Sequence, residues 1–118
     1  MSDSSEMALP SVTDRFGHIA SMIRKIEKVL VGISQQELAA DLYKRMALER
    51  MLEIISVASE HVPTDLKAGE EEVDWQTIDA MGQRLENTRD RVEADMLWAI
   101  SHETLPALKV CAERHLRE

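Results

Sequence analysis

Four histidines, one cysteine, three consecutive glutamates and a cluster of arginines are the residues of this 118-residue chain whose chemistry goes beyond packing. None of them forms a local motif for catalysis. The chain has no phosphate-binding glycine loop, no HExxH pair and no nucleophile elbow. His18 falls beside an apolar stripe, and His61 falls at the end of a helical stretch, where a cation suits the helix dipole. His102 and His115 fall in the closing segment, and no partner stands at a spacing that makes a convincing ligand pair with any of the four. His102 and Glu103 are adjacent, so on a helix they point apart. All four are read as structural. A single cysteine, Cys111, excludes an internal disulfide and a cysteine-based zinc site, and its apolar neighbours mark it as a buried thiol. Glu70, Glu71 and Glu72 are read as a solvated turn, because metal carboxylates need convergent geometry and usually a spaced partner. No metal and no cofactor are expected. Arg84, Arg89 and Arg91 could contact RNA or another phosphate, although a solvated basic face accounts for them equally.

The elements that position these residues are read as helices. Ala, Leu, Met, Glu, Lys, Arg and Gln abound, aromatics are only 3%, and Gly and Pro together number seven (4 and 3), so the composition favours an all-α fold. Residues 1–10 are expected to be a disordered tail and residues 11–118 one helical domain. Ser11 caps a first helix near 12–31, with Phe16, Ile19, Ile23, Ile26 and Leu30 on one face and Gly32 as its stop. Met22 and Val29 widen that stripe. Ser34 and Glu37 form a capping box for a second helix near 35–62, kinked near Asp41 if anywhere and ended by Pro63. Its apolar face runs from Leu38 and Leu42 through Leu48, Leu52 and Ile55 to Val62. Residues 63–74 read as a loop. Asp74 caps a helix near 75–88, and a last helix near 92–115 must kink or restart at Pro106. Whether the chain breaks near residue 90 or continues as one rod is left open. The expected architecture is an antiparallel bundle of four to five helices.

The net charge of −8 lacks the global basic footprint of a protein that grips phosphates, so any RNA binding should be weak. No apolar run approaches membrane-spanning length, and the start of the chain lacks the pattern of a signal peptide, so a cytoplasmic protein without membrane contact is expected.

Four stretches, in order, resemble the HepT-like family of the HEPN superfamily across about residues 13–116. They are DRFGHIASMIRKIE, ERMLEIISVASEHVP, WQTIDAM and MLWAISHETLPAL. The resemblance implies a metal-independent ribonuclease of the toxin–antitoxin kind, working as a homodimer in which two Arg-x4–6-His-x-Tyr motifs face each other. In that motif the imidazole supplies proton transfer near neutral pH, and the guanidinium stabilises the charged phosphorane. Here the three motif positions are Gly82, Asn87 and Arg89, and no Arg in the chain is followed by His after four to six residues. The spacing is kept and the chemistry is gone.

The resemblance also implies a partner like a minimal nucleotidyltransferase, which in some systems silences the toxin by adding AMP to the motif tyrosine. With Arg89 in that place the acceptor is absent, and the chain's tyrosine, Tyr43, stands elsewhere. Three readings follow. One is a family member that has lost ribonuclease activity, has no catalytic residues, and serves as a dimeric binding module. The second is an active ribonuclease with a relocated site drawing on Glu86, Asp90, Glu93 or His102. The third is an unrelated helical adaptor. The first is preferred, so the enzyme question leans to no. A homodimer is expected from the wide apolar seams and the resemblance, with the segment Gly82–Arg89 near its two-fold axis. Trp75 and Trp98 are expected to be largely buried anchors, with Trp98→Ala costing roughly 3–5 kcal/mol if so. Gly82→Arg, Asn87→His and Arg89→Tyr together should return the catalytic groups to family spacing.

Overall fold

Four of the helices begin where a side chain caps them. In the computed structural model, which describes residues 11–87 and 92–118, Ser11 and Asp14 form a reciprocal capping box that opens α1, Val12–Leu30. α1 ends at Leu30, and Gly32 just beyond it, whose φ of 75° lies in the left-handed region, turns the chain back so that Ile33 N–H reaches the Leu30 carbonyl. Ser34 and Glu37 repeat the capping box for α2, Gln35–Ala40. The expected tail at residues 1–10 lies outside the described residues.

The single helix expected over 35–62 is two. Asp41 takes an extended conformation and ends α2. Its Oδ1 accepts the Lys44 N–H at 3.0 Å, which starts α3, Leu42–Glu60. An aspartate that satisfies the first N–H groups of a new helix competes with continuation of the old one. That hydrogen bond is the largest influence holding the Asp41 carboxyl below the usual carboxylate range. The break turns Leu42, expected on the core face, out to solvent beside Tyr43 and Met46.

A short helix, α4, Thr64–Ala68, occupies part of the expected loop. α5, Trp75–Glu86, follows under the Asp74 cap. The Thr77 hydroxyl and then its N–H hold the Asp74 carboxyl below its ordinary range. The chain does break before residue 94: α5 ends at Glu86, and α6, Ala94–Ala99, starts afresh. The final stretch is continuous but irregular. A π-helical turn, Ile100–Thr104, leads into α7, Leu105–Arg117, with Pro106 in its first turn. In that turn the Leu105 N–H reaches back five residues to the Ile100 carbonyl. The wider turn brings the chain to a point where proline, lacking an N–H, can stand without breaking the helix.

No strand occurs among the described residues, and the fold is an all-α helical bundle. α1 lies between α3 and α7, α3 also carries α5, and α2 packs on α6. The wide seam of α1 is therefore used within the chain: Phe16, Ile19, Ile23 and Ile26 are all essentially buried between two neighbours. Each such side chain contributes about 1.5–3 kcal/mol by leaving water. Two ion pairs, Arg24–Glu113 at 3.3 Å and Lys109–Glu27 at 3.0 Å, join α1 to α7 at the surface, where such pairs add little.

Trp75 and Trp98, expected to be largely buried, flank the core. Both are only partly buried and pack against the rim of the core. Trp75 lies under the Lys67 ammonium, 5.3 Å from the ring centre, and Trp98 stacks on His102 with centroids 4.0 Å apart. The anchor beside Trp98 is Leu97, fully buried. In denaturant melts Leu97→Ala should cost about 2–5 kcal/mol, and Trp98→Ala should fall below the roughly 3–5 kcal/mol of a core tryptophan. A larger loss at Trp98 than at Leu97 would overturn this assignment of the core.

Candidate functional site

α5 carries Gly82 and is capped by Asn87, the two positions where the resemblance sets the first motif residues, and its packing decides what each can do. Its apolar residues Ile78, Met81 and Leu85 are buried, and Gly82 is buried between them. The facing helix α3 presents Ser56 and Ser59, both 3% exposed, in place of large side chains. Small residues on both sides let the two backbones approach closely. A Cβ at Gly82 would stand 1.8 Å from Ser56 Oγ and 2.6 Å from Ser56 Cβ. Rotating the hydroxyl away would relieve the first clash but not the second, because Ser56 Cβ is fixed to the α3 backbone. Position 82 is thus a helix-packing contact. Gly82→Arg, offered above as part of a restored motif, has no room unless α5 and α3 separate.

Asn87, the second motif position, is exposed at the end of α5. Its N–H and its side-chain amide both donate to the Gln83 carbonyl, at 3.2 and 3.0 Å. It closes the helix and offers no group that exchanges a proton near neutral pH. Arg84 sits in the last turn of α5, where its charge complements the helix dipole. Its guanidinium reaches Met96 Sδ at 3.6 Å and Glu93 at 3.8 Å. Arg89, Arg91 and Asp90 lie outside the described residues. Gln83, Arg84, Asn87 and Ala80 line one open cleft of about 440 Å³. This is what the structure assembles from the motif region: one cation and two amides on an exposed helix end.

The acid–base candidates do not gather there. Glu86 is exposed at the end of α5, and Glu93 meets Arg84 only as a long, exposed pair. His102 donates from Nδ1 to the Trp98 carbonyl at 2.9 Å and lines a different cleft, with Ile26, Leu30 and Pro106. His61 likewise bonds its own helix, at the Val57 carbonyl. His18 lines a third cleft, with Arg15 and Arg50.

One convergence escaped the reading of the sequence. Glu70, expected in a solvated turn, is drawn against α7, with its side chain only 16% exposed. It accepts from Arg114 through Oε1 and from His115 Nε2 through Oε2, the latter at 2.8 Å. Cys111, buried as expected, completes the group: one donor atom from each of Glu70, Cys111 and His115 lies within 4.8 Å of the others. Burial, then the Glu70 charge, pushes the Cys111 thiol up to about 11. Burial raises the Glu70 carboxyl, but the His115 hydrogen bond and the Arg114 charge outweigh it and leave the carboxyl below its usual range. Cys111 and His115 stand four apart on one helix, which was a legible ligand spacing. Glu70 arrives from 41 residues before Cys111, and only the fold brings it in.

Comparison with known proteins agrees with the fold. The profile of the ribonuclease HepT-like family matches residues 19–115. A probable ribonuclease HepT from Thermococcus cleftensis is 31% identical over 96 residues, covering 81% of this chain and 87% of that protein. No solved structure matches.

If α5 and α3 are held apart by nothing larger than Gly82 and Ser56, Gly82→Ala should destabilise the chain by about 1–3 kcal/mol through overpacking. Ser56→Gly in the same chain should recover most of that loss, so the two changes are strongly non-additive in a double-mutant cycle. Additive effects, or a neutral Gly82→Ala, would show that this contact is not tight.

Proposed function

The chain belongs to the HepT-like ribonuclease family, and we propose that it keeps the family's helical scaffold and pairing without its RNA-cleaving chemistry. In this reading it is a toxin–antitoxin-type binding module that forms a homodimer and takes a nucleotidyltransferase-like partner. The observation that carries the reading is the contact of Gly82 with Ser56. Cleavage by the family's route needs a cation at that position and an imidazole five residues on. The first place is filled by helix packing and the second by the helix-closing amide of Asn87.

Two further features support a binding role. Leu42, Tyr43 and Met46 are exposed within the first two turns of α3, an apolar surface that costs solubility unless a partner covers it. Among the described residues Gln83, Arg84 and Asn87 face outward at the end of α5, a surface that suits a second copy meeting it near a two-fold axis. The net charge of −8 suits a basic protein partner better than RNA and leaves RNA contact weak. Among the described residues no helix is long and apolar enough to cross a membrane.

The purified chain, incubated with single-stranded RNA in the presence of a chelator, should cleave at the uncatalysed background. Loss of an acid–base group removes about 10²–10⁴ in rate, and loss of a charge stabiliser removes about 10²–10³ more. Light scattering of the same sample should give twice the 13.4 kDa mass of the chain. Cleavage that survives Asn87→Ala but is lost on Glu86→Gln or His102→Ala would establish a relocated site and contradict the proposal. A monomer would contradict its pairing.

A further inference from the structure

The cluster of Glu70, Cys111 and His115 is independent of the motif helix and of any RNA chemistry. We propose that these three side chains bind one zinc-class divalent cation, which fastens the loop before α5 to α7. The donor set argues for the class of ion. One carboxylate, one thiol and one imidazole form a borderline-soft set suited to zinc, and a poor one for magnesium or calcium, which take oxygen ligands.

The positions argue for the site. Cys111 and His115 are four residues apart on α7 and so project from one face. Their donor atoms and a Glu70 oxygen already lie within 4.8 Å of one another. Zinc–ligand bonds of about 2.0–2.3 Å in a tetrahedron set donor atoms about 3.5 Å apart, so closure needs side-chain shifts of roughly 1 Å. The His115 ring is held for this role on two sides. It stacks on Phe16 with centroids 4.6 Å apart and planes 5° from parallel. Its Nδ1 stands 3.4 Å from Glu118 Oε1. A carboxylate on the far nitrogen is the arrangement that orients metal-binding histidines and fixes their tautomer. Nε2 then points at Glu70 Oε2, and the ion would take the place of the proton those two atoms now share.

Arg114 is compatible with this arrangement. It bonds Glu70 Oε1, the other carboxylate oxygen, leaving Oε2 to the cluster, and it also reaches the Cys111 sulfur. A carboxylate and a thiolate together neutralise a divalent ion, so the guanidinium does not face a net positive charge. His115 and Glu70 are 18% and 16% exposed at their side chains, which gives the ion an entry path and leaves a fourth position for water.

The test uses the full chain, freed of metal, with Co²⁺ as a spectroscopic probe and Zn²⁺ as competitor. One Co²⁺ per chain should produce the near-ultraviolet thiolate charge-transfer band and the visible bands of a tetrahedral site, both bleached by Zn²⁺. Cys111 is the chain's one cysteine, so the charge-transfer band identifies the ligand without any variant. Glu70→Gln and His115→Gln, checked for retained helix by circular dichroism, should each weaken Co²⁺ binding at least tenfold. Absence of the charge-transfer band in the unaltered chain would overturn the proposal. So would a band whose affinity neither variant changes.

Discussion

The close approach of α5 to α3 at Gly82 and Ser56 is the contact on which the rest of the structure depends. Two small residues meet there, and the helices lie nearer together than any side chain at position 82 would permit. That closeness sets the rotation of α5. Ile78, Met81 and Leu85 turn inward, and Gln83, Arg84 and Asn87 turn outward. The same geometry that packs the helix removes the place where a catalytic cation would stand.

The contact is also one link in a closed circuit. α5 rests on α3, α3 on α1, and α1 on α7. Glu70, in the loop that leads into α5, is gripped by Arg114 and His115 of α7 and returns the circuit to its start. Charged pairs at the surface add little to such an assembly, but a partly buried carboxylate with two donors is different, since stripping its partners would leave it unsatisfied away from water. Phe16 of α1 stacks on His115, so the apolar core and the polar clamp share a boundary.

Much of this was legible in the sequence, and what was not has definite physical causes. The caps at Ser11, Ser34 and Asp74 were readable because capping is local, a matter of three residues. The break at Asp41 was only half readable. Whether an aspartate caps a new helix or rides on an old one depends on what the following turn packs against. The apolar periodicity identified the α1 stripe and its two-sided width, which α3 and α7 of the same chain fill. The tryptophans pack on the core but stop at its rim, a depth that residue size alone does not set. Gly82 and Asn87 are the positions where the resemblance sets the first two motif residues. That Gly82 is a packing contact was not legible, since the partner Ser56 lies 26 residues away and only the tertiary fold pairs them. The Glu70 cluster was missed for the same reason, although the Cys111–His115 spacing was there to be seen.

α5 lies flush against α3, and a proton–proton contact measures that directly. In a nuclear Overhauser spectrum of the labelled chain, the Gly82 Hα protons should show a strong cross-peak to the Ser56 Hβ protons, with the Gly82 amide slow to exchange. No cross-peak between these residues, together with rapid exchange at Gly82, would place the glycine in solvent. Position 82 would then be open to a side chain, and the central claim would fail.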